Sequence, residues 1–126
     1  MPHLRSTPPT TYRQLKSRSR PVLDALEALG CTLRRAGPLD DKSAQLVQLA
    51  AAAAIRSEGS VHSHVRRARE AGASADEIRH ALLLLTSTIG FPTVAAAMSW
   101  ADDILRPGEP RAKPRTTARK RRQGRR

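Results

Sequence analysis

The chain has 126 residues and a formal charge of +12, a length that fits one domain with tails rather than two domains. One Phe, one Trp and one Tyr exclude an aromatic core, so the interior must come from Ala, Leu, Val and Ile, a set led by strong helix formers. The single cysteine, Cys31, excludes an intrachain disulfide, which fits a reducing compartment and a cytoplasmic location.

Residues 1–20 carry Arg5, Arg13, Lys16, Arg18 and Arg20 and no acid. With no apolar run they are not a secretory signal, and Pro8-Pro9 argues against a transit peptide. They read as a disordered basic arm. Val22, Leu23, Leu26 and Leu29 then mark a short helix that Gly30 closes. Pro38-Leu39-Asp40-Asp41 opens a longer helix whose apolar face is Leu46, Leu49, Ala50, Ala53 and Ala54. Gly59 is expected to break that run, with Ser60 as the cap of the next helix. That helix carries Val61, Val65, Ala68 and Ala71 inward and ends at Gly72. Ser74-Ala75-Asp76-Glu77 has the spacing of a capping box and starts a helix with Ile78, Ala81, Leu82 and Leu85 on one face. Gly90-Phe91-Pro92 is a turn, and Val94, Ala97, Met98, Ala101 and Leu105 line the last helix. The stretch from Ala81 to Ala101 is fairly apolar, but that turn divides it into two helices of a water-exposed domain rather than one membrane span.

The expected fold is therefore all-α: a small bundle of about five helices over residues 21–105, flanked by a disordered arm (1–20) and a disordered tail (106–126). A short Ala-rich domain buries little area per residue, so a homo-oligomer is expected. The positive charge sits in the two ends, and the stretch between them is near neutral. In the tail, Arg119, Lys120, Arg121 and Arg122 with Arg125 and Arg126 can neutralise phosphates. Such a run binds nucleic acid in a salt-dependent, non-specific way. It holds no aromatic residue to stack a base.

An ordered series of short pieces runs through the domain: Leu39-Asp40-Asp41-Lys42, then Glu58-Gly59-Ser60 with His64-Val65, then Ala71-Gly72-Ala73-Ser74 with Glu77-Ile78, then Gly90-Phe91-Pro92 with Ala95-Ala96-Ala97. Together they resemble the carboxymuconolactone decarboxylase family, which includes the alkylhydroperoxidase D-like proteins, over roughly residues 35–105. The resemblance implies the all-helical fold of that family and, at family level, a peroxiredoxin-type activity. The redox members carry Cys-x-x-Cys-x-x-x-His at a helix start, with a Glu twelve residues before the first Cys. A thiol there is shifted toward thiolate, and the second thiol resolves the sulfenic acid that peroxide forms.

Placed on this chain, the two Cys positions are Ser57 and Ser60, the His is His64 and the Glu is Gln45. Serine offers neither a thiolate nor an oxidation ladder, and an amide does not exchange a proton. The residues therefore imply that thiol peroxidase activity is lost, and Cys31 lies outside the motif. What remains is a degenerate or non-thiol small-molecule site around His64; a small organic acid or lactone stays open as its ligand, because lactone decarboxylases of the family do not use a thiol pair. The competing readings are an active peroxidase or decarboxylase of the usual type, and a non-enzymatic helical oligomer that presents its basic tail to nucleic acid. A Ser60–His64 nucleophile would need an orienting carboxylate, and none is obvious, although Glu58 is near. His62 and His64 lie about 200° apart on a helix, so they do not share an ion; His62 is placed outward with Arg66 and Arg69. No metal site and no cofactor are expected.

Overall fold

The computed structural model describes residues 10–106, and within them the chain forms seven helical segments and no strand. They are α1 (Thr10–Arg18), α2 (Arg20–Arg35), α3 (Asp41–Ala54), α4 (Glu58–Glu70), α5 (Ala75–Leu83), α6 (Thr86–Ile89) and α7 (Phe91–Leu105). The all-helical expectation holds. The tail cations Arg119, Lys120, Arg121, Arg122, Arg125 and Arg126 lie outside the described residues.

The body is α3, α4, α5 and α7. The α3–α4 pair is the most extensive contact, followed by α4 against α7. Leu49, Val61, Val65, Ile78, Leu82 and Val94 are the largest fully buried side chains, and Ala53, Ala68, Ala97 and Ala101 let the helices approach between them. The buried face of α3 is Gln45, Leu49, Ala52 and Ala53. It is rotated from the stripe expected from the sequence: Ala54 is exposed, and a polar side chain takes an inward place. Asp40 caps α3 by accepting from the Ser43 amide at 2.7 Å. Ser74 and Glu77 form the capping box at the start of α5, each side chain accepting the other residue's backbone N–H at 3.0 Å.

Three expectations need correction. Residues 10–18 are helical where the sequence reads as a disordered arm, because Tyr12 and Lys16 of α1 both bond Glu27 of α2. Gly30 does not end α2, which runs on to Arg35; a lone glycine only weakens a helix. Gly59 is no break either. The helix breaks earlier, and Gly59 lies within the first turn of α4, whose N-cap is Ser57 and not Ser60.

Helix α2 makes its main contact with α1. Only Leu23 of α2 is buried. Val22, Leu26, Leu29 and Leu33 form a row along one face and are all more than half exposed.

Candidate functional site

Ser57, Ser60, His64 and Gln45 come together at the α3–α4 junction, but as two separate hydrogen-bonded pairs. Ser57 Oγ donates to Ser60 Oγ at 2.9 Å. His64 Nδ1 lies 2.9 Å from Gln45 Oε1. Among the described residues no hydrogen bond links the serines to the imidazole.

The local chain explains each placement. α3 ends in a Schellman motif, with Ser57 N–H on Ala52 C=O at 3.0 Å and Arg56 N–H on Ala53 C=O at 3.0 Å. That cap holds Arg56 at φ 57° and delivers Ser57 to the N-cap of α4. Asp40 and Ser74 use their side chains as caps, whereas Ser57 makes no side-chain cap bond. Its hydroxyl is directed to Ser60 instead, one turn into α4. His64 is four residues beyond Ser60 and faces α3, where it meets Gln45.

Gln45 is 4% exposed and is the one buried polar residue among the described residues. Its amide oxygen can only accept, so Nδ1 of His64 carries the proton and Nε2 keeps a free lone pair. Burial pushes the His64 pKa below the usual imidazole value, and the positive fields of Arg67 and Arg34 push it the same way. The imidazole is thus neutral at neutral pH, with one nitrogen anchored and the other basic. One turn beyond Gln45, Gln48 buries its Oε1 without a hydrogen-bond partner.

The other histidine of α4 departs from the expectation. His62 is not outward with Arg66 and Arg69; its Nε2 lies 3.0 Å from Asp103 Oδ2 on α7. Both side chains are about one-fifth exposed. Glu58, one turn before His62, offers a carboxylate to the same spot: the ligand atoms of Glu58, His62 and Asp103 lie within 4.8 Å of one another. The Glu58–His62 spacing of i, i+4 was a usable sequence signal. Asp103 was not, since only the α4–α7 packing brings it near. His80 is exposed on α5. Cys31 sits on α2, away from the serine pair in sequence and with a free thiol. No helix among the described residues is long and apolar enough to cross a membrane.

The model of the carboxymuconolactone decarboxylase family matches residues 20–103, about two-thirds of the chain. No curated protein and no solved structure matches it.

Proposed function

The chain belongs to the carboxymuconolactone decarboxylase family, and from that premise we propose that it is a non-thiol member whose site is an acid–base centre for a small organic acid or lactone. The observation that carries the reading is the His64–Gln45 bond. It fixes the tautomer, so Nε2 is the nitrogen that takes a proton from a ligand. Gln45 cannot accept a proton in turn, so the base has no onward relay of the kind a carboxylate would give. With Ser57 bonded to Ser60, the proton on Ser60 Oγ is available to a ligand oxygen. Arg67 and Arg34, whose fields act on His64, favour an anionic ligand over a neutral one.

Thiol chemistry has no place in this site. A dithiol cycle needs two sulfurs in reach of each other, and the positions we read as the family's pair, Ser57 and Ser60, hold hydroxyls. The loss of peroxidase activity follows from those two residues.

The test is a thermal-shift screen of small carboxylates and lactones on the wild type and on His64→Ala. A ligand at a hundred times its Kd adds about 2.7 kcal/mol of stability, enough to read as a shift of several degrees. The expected result is a ligand that raises the Tm of the wild type and not of His64→Ala. Dithiol-dependent peroxide turnover that persists in Cys31→Ala would overturn the reading.

We also propose that the chain self-associates through α2. Val22, Leu26, Leu29 and Leu33 form an exposed apolar row that the chain's own body does not cover, and such a patch marks an association surface. In sedimentation, Leu26→Asp with Leu29→Asp should convert an oligomer to a monomer while far-ultraviolet circular dichroism holds. A wild type that is already monomeric at micromolar concentration contradicts the proposal.

A further inference from the structure

We propose that Glu58, His62 and Asp103 form a binding site for a divalent transition-metal ion of the zinc class, on the side of α4 away from His64. Two residues of the set, Glu58 and His62, are one turn apart on α4 and so project from the same face. Asp103 reaches them from the last turn of α7. The three ligand atoms lie within 4.8 Å of one another. The His62 Nε2 to Asp103 Oδ2 distance is already 3.0 Å. Two ligands bound at 2.0–2.2 Å with a tetrahedral angle sit about 3.4 Å apart, so binding would open the His62–Asp103 pair slightly and draw in the Glu58 carboxylate.

The surroundings fit an ion as well as the distances do. α4 and α7 meet through fully buried Val61, Val65, Ala97 and Ala101, so the ligands stand on rigid elements rather than loops. Asp102 and Asp103 both lie in the last turn of α7, where the helix dipole disfavours negative charge. Asp102 is answered by Arg79, which bonds its Oδ1 at 3.2 Å. Asp103 Oδ2 lies beside the His62 imidazole, a group that is a metal ligand when neutral. Two carboxylates match the charge of a divalent cation, and the exposed Glu58 leaves the site open to solvent on one side. Three protein ligands with a solvent position is the coordination of an open site rather than a closed structural one. One nitrogen and two oxygens suit zinc or its neighbours, while magnesium and calcium prefer oxygen alone.

Nothing in this site depends on the His64–Gln45 pair, which faces α3, so the two proposals fail independently. The test is a titration of the full chain with cobalt(II) chloride, read by visible d–d absorption and followed by displacement with zinc chloride. The expected result is one equivalent of cobalt per chain, displaced by zinc and not by equimolar magnesium. His62→Ala should weaken binding more than about tenfold, and His64→Ala should leave it unchanged. His62→Ala also removes the α4–α7 hydrogen bond, so Asp103→Asn is the second variant: its amide can still bond His62, but it removes the anionic ligand. Loss of cobalt affinity in a folded Asp103→Asn supports the site. Absence of a cobalt spectrum, displacement by equimolar magnesium, or affinity unchanged in either variant overturns it.

Discussion

The two ends of α4 are joined to their neighbours by the same pair of hydrogen bonds and differ in the residue at the turning point. At the α4–α5 corner, Ala73 N–H bonds Ala68 C=O at 2.9 Å and Gly72 N–H bonds Arg69 C=O at 3.1 Å. At the α3–α4 corner, Ser57 and Arg56 make the corresponding bonds to Ala52 and Ala53. Both turning residues have positive φ, 96° for Gly72 and 57° for Arg56. Glycine takes that conformation without penalty, while a side-chain-bearing residue is strained there by about 1–2 kcal/mol. The strained corner is the one that leads straight into Ser57. Strain of this kind persists where the surrounding structure over-determines it, and such positions cluster near functional sites.

Exchanging the residues tests that contrast. Gly72→Ala should destabilise the chain by about 1–2 kcal/mol, measured by urea unfolding, although no atom crowds the new Cβ within 4 Å. The effect is conformational and not steric, so Gly72→Ser should cost a similar amount. Arg56→Gly should go the other way, by up to about 1 kcal/mol once the greater freedom of glycine in the unfolded chain is counted. If Arg56→Gly stabilises the protein but abolishes ligand binding at His64, strain and site are coupled. A stabilised variant with intact binding would show that the left-handed arginine serves the corner alone.

How far the sequence discloses each corner follows from the same physics. Gly72 and the Ser74–Glu77 box are local signals, read from spacing alone, and both stand in the structure as expected. The α3–α4 corner carries no such signal, because Arg56 is not a residue type that marks a left-handed turn. Gly59, three residues on, was the plausible substitute and was the wrong one: it is helical, in open space. The resemblance singles out Gln45 and His64, and the two side chains are hydrogen-bonded to each other. The inward side of α3 was not, since a stripe drawn from apolar residues has no reason to include a glutamine. His62 illustrates the remaining gap. Helical geometry correctly separates it from His64, but its partner, Asp103, lies 41 residues later and depends on tertiary packing.

The smallest expected effect concerns His64 itself and separates a buried neutral base from a solvated one. Burial, with Arg67 and Arg34, holds its folded pKa below the ordinary value of 6.5. As pH falls through that ordinary value, the unfolded chain takes up the proton before the folded chain does. Stability is therefore intact above about pH 6.5 and declines as pH falls toward the lowered folded value. The carboxylates act in a different window. Asp40, Glu27 and Glu77 are held below their ordinary values of 3.8 and 4.5 by hydrogen bonds, from Ser43, from Tyr12 and Lys16, and from Lys42 and Ser74 respectively. Their contributions are lost only in stronger acid. A stability slope below about pH 6.5 that is present in the wild type and absent in His64→Gln belongs to this one imidazole. Glutamine is the chosen replacement because its amide can still donate to Gln45 while having no proton to gain. Equal slopes in the two proteins would mean that His64 is solvated rather than anchored, and the fixed tautomer on which the acid–base reading depends would go with it.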